Sequence, residues 1–128
     1  MPRATQLTVC LENKPGQVAK VGEVLRRAKV NVLAVTVVDN TDTGVVRLVT
    51  DNSAKAARAL TRAGLKPTRQ SVLVLDLPNK PGALGAASAR MAKAGVNINY
   101  VYGSVVKGAA SGTLVFGVDK LQKAMRAV

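Results

Sequence analysis

The chain repeats itself at an offset of 66 residues. Residues 11–18 read L-E-N-K-P-G-Q-V, and residues 77–84 return the pattern as L-P-N-K-P-G-A-L. Residues 7–35 align with residues 73–101 without a gap, and 10 of these 29 positions are identical. Self-similarity at a fixed period is the sequence signature of a duplicated structural unit. We therefore expect two copies of one unit, residues 1–70 and residues 71–128.

Each copy predicts the same order of elements. In the first copy, residues 6–11 alternate as a β-strand does, and Pro15-Gly16 predicts a turn. From residue 17 to residue 29, apolar residues recur at spacings of three and four, which indicates an amphipathic helix. A Val-rich strand, a hairpin turn at residues 40–44, a returning strand and a helix capped at residues 51–53 follow. The second copy repeats this order, with Asp119 as the expected cap of its last helix.

This order is that of the ferredoxin-like unit, β-α-β-β-α-β. The predicted fold is α+β, with two such units in tandem and helices on one face of each antiparallel sheet. An extended stretch over residues 66–77 is expected to end the first unit and open the second, whose own last strand is missing. Units of about 60 residues are marginally stable alone. They should therefore bury surface against each other or against a second chain, and a homodimer is expected.

Composition excludes several kinds of chemistry. The chain has no His, a single Cys and 7 acidic residues, which disfavours zinc sites, Ser-His-Asp and Cys-His catalysis and any internal disulfide. Cys10 lies in an apolar run and is expected in the core. No base–nucleophile pair recurs, so we expect neither an enzyme nor a bound cofactor or metal. No apolar stretch has the length of a membrane span or a signal peptide, so a cytoplasmic protein without membrane contact is expected.

The net charge of +12 is the strongest signal in the composition. Such a charge attracts polyanions, which makes nucleic acid a candidate partner. Tyr100 and Tyr102 lie at i and i+2 on one strand face and could stack bases. The alternative is that Lys and Arg solvate helix surfaces and that the tyrosines pack on their strand.

The turn, the helix and the following strand together resemble the ACT domain family, whose members are regulatory modules that usually bind amino acids. The resemblance rests on N-K-P-G followed by V-N-V in the first copy and by G-V-N-I in the second. It implies a non-catalytic sensor that binds an amino acid where two ACT units meet and acts through a partner. The ligand-binding residues that it implies are Asn13, Pro15, Gly16, Gln17, Val18, Asn31 and Val32 in the first unit, and Asn79, Pro81, Gly82, Ala83, Leu84, Asn97 and Ile98 in the second.

The chemistry of these residues suits an amino acid. Gly16 and Gly82 open helices whose first amides can hold a carboxylate, and Asn side chains offer both donors and acceptors. Within one unit, however, the turn Asn and the strand Asn should lie too far apart to bind one ligand. In ACT regulators that bind serine, the matching positions meet across two domains. The pairs here would be Asn13–Asn97 and Asn79–Asn31 within the chain, or Asn13 with Asn31 of the partner subunit.

The chain departs from the serine-binding group at the residue two positions before the turn Asn. That group has His there, whereas this chain has Leu11 and Leu77. Aliphatic side chains around the site favour an aliphatic amino acid instead. Two other functions stay open: a basic nucleic-acid-binding module, and an accessory regulatory subunit of an amino-acid biosynthetic enzyme, since the small regulatory subunits of acetolactate synthase carry a similar turn.

Overall fold

The computed structural model describes residues 2–128. Met1, with which the predicted first unit begins, lies outside the described residues. The described part has six strands and four helices, and within each unit the neighbouring strands pair antiparallel, which confirms the predicted α+β fold of two ferredoxin-like units. In chain order the elements are β1 Arg3–Glu12, α1 Gln17–Arg27, β2 Val32–Asn40, β3 Thr43–Thr50, α2 Ser53–Arg62, β4 Thr68–Pro78, α3 Ala83–Lys93, β5 Ile98–Ser104, β6 Ser111–Val118 and α4 Leu121–Ala127.

Residues 5–70 form one compact unit, which we call the N-terminal unit. In its sheet β3 lies between β2 and β1, with Val46 opposite both Val37 and Val9. Alternate residues of β1 and β3 face α1 and α2, because side chains alternate along a strand. Together they form the core, which contains Leu7, Val9, Leu11, Val21, Leu25, Val30, Val46, Leu48, Ala56, Ala57 and Leu60.

Residues 71–128 and the first described residues, up to Ala4, form the second compact unit, which we call the C-terminal unit. Here β6 lies between β4 and β5, and α3 and α4 cover the sheet. The Pro2 carbonyl oxygen accepts a hydrogen bond from the Val74 amide at 2.8 Å, so the start of the chain contacts β4. The core of this unit contains Leu73, Leu77, Ala87, Met91, Val96, Phe116, Val118 and Ala124.

Strand β4 belongs to both units. Its residues up to Gln70 group with the N-terminal unit, and its residues from Ser71 group with the C-terminal unit. The extended stretch predicted over residues 66–77 thus falls largely within β4, which spans Thr68–Pro78. No strand follows α4 among the described residues. Besides residues 71–128, the C-terminal unit includes the first described residues, up to Ala4.

Two expectations were wrong. Cys10 is exposed rather than in the core, because Val9 and Leu11 face the helices and Cys10 points to the other side of β1. Asp119 does not cap α4, whose N-cap residue is Lys120 with no side-chain cap. Its Oδ1 instead accepts a hydrogen bond from the Asn97 amide at 2.9 Å. Across residues 2–128, none of the helices is both long enough and apolar enough to cross a membrane.

Candidate functional site

The turns before α1 and α3 have the same backbone conformation. Gly16 and Gly82 both have φ 90°, in the left-handed region that glycine adopts without a Cβ penalty. Neither helix has a side-chain cap at its N-terminus. In contrast, Asn52 caps α2 by accepting a hydrogen bond from the Lys55 amide at 3.1 Å. The first-turn amides of α1 and α3 therefore lack the side-chain partner that α2 has, and they can receive an anionic group.

The turn asparagines hold the turn against a hairpin in each unit. Asn13 Nδ2 donates to the Thr41 carbonyl oxygen at 3.0 Å, and its backbone amide donates to the Asp42 carbonyl oxygen at 2.9 Å. Asn79 repeats this arrangement, since its Nδ2 donates to the Ala109 carbonyl oxygen at 2.8 Å. One amide hydrogen of each side chain is therefore committed to the fold. The side-chain oxygen stays available as an acceptor for an ammonium group.

The strand asparagines lie at the opposite end of the same hairpin. The Asn31 amide donates to Asp51 Oδ1 at 3.0 Å, and its carbonyl oxygen accepts from the Asp51 amide at 3.0 Å. Asn97 and Asp119 form the same reciprocal pair in the C-terminal unit. Strand β2, nine residues long, separates the two ends, a span of roughly 30 Å at 3.3 Å per residue. Within one unit, the turn Asn and the strand Asn do not meet, as the sequence predicts.

The four aliphatic candidates divide into two pairs. Val32 and Ile98 are half-buried and pack against the two cores. Val18 and Leu84 are 52% and 47% exposed, although each is the first member of a helical stripe whose next members are buried. Val18 and Leu84 are thus the aliphatic candidates that remain accessible to a ligand, and each lies in the first turn of an uncapped helix.

Exposed apolar side chains continue along the outer strands β2 and β5. Val35 lies opposite Leu48, and Val37 lies opposite Val46, so both point to the helix-bearing side of the sheet. They are nevertheless about half exposed, at 50% and 48%, because β2 is the outermost strand of its unit. We call Val35 and Val37 the apolar edge. Val35 and Val37 were not among the predicted site residues, although a Val-rich strand with few polar residues on either face was a visible signal.

The C-terminal unit has a small cavity of about 170 Å³ beside its turn. Its volume is below the roughly 300–1,000 Å³ of pockets for drug-sized ligands, and it is open to the surface. Three of the predicted ligand-binding residues line it, together with the turn lysine. The lining residues are Leu77, Pro78, Asn79, Lys80, Ala83, Leu84, Val105 and Leu114.

The other predicted residues have lesser or structural roles. Pro15 and Pro81 are exposed turn residues, and Gln17 is half-buried at the start of α1. The ammonium group of Lys14 lies 3.0 Å from the Glu12 carboxylate, and both side chains are largely exposed. An exposed ion pair of this kind contributes little to stability. The pair does, however, place the Glu12 carboxylate beside Lys14, the lysine of this turn that could otherwise attract an anionic ligand.

The two tyrosines form a stack on β5. Their ring centroids lie 6.3 Å apart with 21° between the ring planes. A Cβ at Gly117 would lie only 2.1 Å from the Tyr100 ring, so this ring packs directly over the backbone of β6. The interpretation that the tyrosines pack on their strand is therefore the one that the contacts support.

Among the described residues, the acidic side chains do not gather into a metal-binding group. Over residues 2–128, no three His, Cys, Asp or Glu side chains are placed to share a metal ion. The pKa of Glu23 is lowered to about 2, chiefly by the hydrogen bond from Arg26 and then by that from Arg27. Since all three side chains lie exposed on α1, this cluster belongs to the helix surface.

The duplicated turn, helix and hairpin agree with a known family. A family model described as an ACT domain pair matches residues 3–128. This chain belongs to the ACT domain family. Its two ACT units therefore account for almost the whole sequence, and the resemblance found in the N-K-P-G turns is confirmed.

Solved structures of the same architecture cover nearly all of this ACT domain pair. The protein BT0572 from Bacteroides thetaiotaomicron is 28% identical, with a TM-score of 0.92 over 98% of this chain and 86% of that one. The regulatory subunit of aspartate kinase from Thermus thermophilus, in its ligand-free form, is 15% identical, with a TM-score of 0.72 over 97% and 89%. The aspartokinase alpha and beta subunits are 14% identical, with a TM-score of 0.62 over 99% and 94%. Among curated protein sequences, none matches the chain.

Proposed function

We propose that this ACT domain pair is a non-catalytic regulatory protein that binds an amino acid and acts through a partner protein. The observation that carries the proposal is the repeated, uncapped helix start with an exposed aliphatic side chain beside it, Val18 in α1 and Leu84 in α3. The family and the fold support a regulatory role. One neighbour is described as a regulatory subunit of aspartate kinase, and an enzyme of amino-acid biosynthesis is accordingly the class of partner that we propose.

The chemistry of the site fits an aliphatic amino acid. The ligand carboxylate would receive hydrogen bonds from the first-turn amides of α1 or α3, where the helix dipole also favours negative charge. The side-chain oxygen of Asn13 or Asn79 would accept from the ligand ammonium group. The aliphatic side chain of the ligand would pack on Val18 or Leu84, and this contact replaces the polar recognition that serine would need.

A second copy of the chain is the proposed cover for the site. In the N-terminal unit the apolar edge of Val35 and Val37 is accessible, as is Val18 on α1, and an unpaired outer strand is a ready template for pairing with another chain. The cavity beside Asn79 is open to the surface, so it does not surround a ligand on all sides. Pairing of two copies would complete the enclosure, and a ligand bound there would change the pairing equilibrium that the partner protein senses.

A thermal-shift screen with the twenty amino acids tests the binding. At 100 times its dissociation constant, a ligand stabilises the folded state by about 2.7 kcal/mol, which should raise the Tm by several degrees. We expect one aliphatic amino acid, or a small group of them, to do so. If no amino acid raises the Tm, the sensor function is wrong.

Variants at the helix starts then locate the site. Val18→Glu places a carboxylate and a polar side chain where the ligand should bind, and we expect affinity to fall more than tenfold. Ala19→Glu is the matched control, because it adds the same charge in the same helical turn but on a different side of α1. Leu84→Glu and Ala86→Glu repeat the comparison in α3. If Val18→Glu and Leu84→Glu bind the amino acid as tightly as the wild type, the ligand binds elsewhere on the protein.

Adjacent positions on β2 test the pairing of copies. Val35→Glu changes the helix-bearing side of the strand, whereas Thr36→Glu changes its opposite side. In sedimentation equilibrium, the first variant should weaken the dimer at least tenfold and the second should leave it nearly unchanged. A wild-type protein that stays monomeric with and without ligand would contradict this part of the proposal.

A further inference from the structure

A second depression, separate from the proposed amino-acid site, lies on the N-terminal unit. It has a volume of about 370 Å³ and is formed by the exposed side of α2 and the segment that leads into β4. Three of its six lining residues are arginines and none is acidic. The lining residues are Ala57, Arg58, Thr61, Arg62, Pro67 and Arg69.

The three arginines have no counter-charge. Elsewhere on this unit, Arg26 and Arg27 form ion pairs with Glu23 at 2.7 and 3.1 Å. Arg58, Arg62 and Arg69, by comparison, form no ion pair with any carboxylate of residues 2–128. Their guanidinium donors are therefore free for an external acceptor.

Two elements bring these side chains to one place. Arg58 and Arg62 are four residues apart on α2, so their Cβ atoms lie about 5–6 Å apart on the same helix face. Arg69 comes from the start of β4, next to the turn at Pro67. Like charges at this spacing repel each other, and a bound anion would relieve that repulsion. The hydroxyl of Thr61 already donates its hydrogen to the Ala57 carbonyl oxygen at 2.8 Å. The guanidinium groups are therefore the side-chain donors in the depression that can bind an anion.

The chemistry of the lining residues suits a phosphoryl group. The planar fork of a guanidinium matches two phosphoryl oxygens and forms short charge-assisted hydrogen bonds with them. The volume falls in the range of small-molecule sites. None of the lining residues is aromatic, so the depression offers no platform for the base stacking by which proteins bind single-stranded nucleic acid. The net charge of +12 raises the local concentration of any small anion.

We propose that Arg58, Arg62 and Arg69 form an anion-binding site for a small molecule that carries a phosphoryl group, either free phosphate or diphosphate, or a phosphorylated metabolite. This site would give the protein a second input besides the proposed amino acid. Because it shares no residue with the helix starts of α1 and α3, it stands or fails independently of the proposed function.

Titration with inorganic diphosphate, followed by ³¹P NMR at constant ionic strength, tests the site. The site variant is Arg58→Gln with Arg62→Gln. The matched control is Lys123→Gln with Arg126→Gln, which removes two charges from an exposed surface of α4. We expect saturable binding to the wild type, an affinity at least tenfold lower in the site variant, and a change of less than twofold in the control.

Further titrations with other phosphate compounds distinguish the possible ligands. Tighter binding of a phosphate monoester than of inorganic phosphate would assign the site to a phosphorylated metabolite, and the reverse would assign it to free phosphate. Arg69→Gln, on β4, is the independent variant if the double substitution in α2 impairs folding, and it should weaken binding at least threefold. Equal losses in the site variant and the control, or no saturable binding, would overturn the proposal. Displacement of diphosphate by a short DNA duplex at equal phosphate concentration would also overturn it, in favour of nucleic acid.

Discussion

Asn13 ties the turn before α1 to the distant end of the β2–β3 hairpin. Its Nδ2 donates to the carbonyl oxygen of Thr41, 28 residues further along the chain, at 3.0 Å. Asn79 makes the equivalent bond to Ala109, 30 residues further along, at 2.8 Å. The residue that marks the family turn in each unit thus also fixes the hairpin loop, so its structural and binding roles have to be separated by experiment.

Asn13→Ala should loosen the hairpin loop of the N-terminal unit. Loss of an exposed hydrogen bond of this kind costs about 0.5–1.5 kcal/mol. Amide exchange by NMR should accelerate at residues 41–43, and exchange at residues 107–110 should stay as in the wild type. Asn79→Ala should give the reverse pattern. Unchanged exchange at both loops would show that these bonds do not hold the hairpins in solution.

Gly16→Ala and Gly82→Ala should destabilise the protein through the backbone alone. An added Cβ meets nothing within 4 Å at either position, but both residues have φ 90°. A left-handed conformation costs a non-glycine residue about 1–2 kcal/mol. Chemical denaturation should show a loss of this size for each variant.

Gly22→Ala is the matched control for this comparison. Gly22 lies within α1, its φ is outside the left-handed region, and an added Cβ again meets nothing within 4 Å. Alanine in a helix interior is more favourable than glycine by about 0.5–1 kcal/mol. This variant should therefore be more stable than the wild type. A destabilised Gly22→Ala would mean that the local backbone differs from the structure.

Glu23 should stay ionised far into the acid range. Hydrogen bonds from Arg26, and next from Arg27, lower its pKa to about 2 from an ordinary value of 4.5. A carboxyl group whose pKa is lowered by folding stabilises the folded state at pH values above its ordinary pKa. That contribution is lost as the pH falls from about 4.5 towards 2.

The titration of Glu23 can be followed by NMR of its carboxyl carbon. Arg26→Gln should raise the pKa of Glu23, and Glu23→Gln should flatten the dependence of Tm on pH below 4.5. Because the side chains are exposed, 1 M salt should reduce both effects. A wild-type Glu23 that titrates near 4.5 would contradict the geometry of this cluster.

Gly117→Ala should displace the Tyr100 ring from β6. The added Cβ would lie 2.1 Å from the nearest ring atom, far inside contact distance, so the ring must move. Overpacking of this kind typically costs about 1–3 kcal/mol. The stack of Tyr100 on Tyr102 should be disturbed as well, with changed ring-current shifts of both tyrosines.

Gly44→Ala provides the comparison for this variant. At Gly44, in β3, the nearest atom to an added Cβ is in Val37, at 4.0 Å, which is an ordinary contact. Its Tm should change little. If Gly117→Ala were equally neutral, Tyr100 would not lie over β6 in solution.

Much of the fold could be read from local patterns. The Pro-Gly turns and the stripes of Val21 with Leu25 and of Ala87 with Met91 depend on residues close together in sequence, and the offset of 66 residues shows that the same local patterns occur twice. They predicted the element order and the ferredoxin-like units, because periodicity and turn chemistry act over a few residues. Element ends were less well defined: α1 ends at Arg27, two residues before the predicted end.

The accessibility of side chains was not predictable in the same way. Val18 begins the same helical stripe as Val21, yet it is half exposed whereas Val21 is buried. Cys10 shares an apolar run with Val9 and yet is exposed, because alternate residues of β1 face opposite sides of the sheet. Burial depends on neighbours that are distant in sequence, and a local pattern does not contain them.

By itself, the sequence determined that the chain is duplicated, that each copy alternates strands and helices in the ferredoxin-like order, and that each carries an ACT-like turn. Tertiary structure decided what the individual side chains do. In the folded protein, Asn13 donates a hydrogen bond to Thr41, Asp119 accepts one from the Asn97 amide and does not cap α4, and Arg69 lines the same depression as the arginines of α2. Local patterns follow from backbone preferences over a few residues, whereas these contacts join residues that only the packing of the sheet and helices brings together.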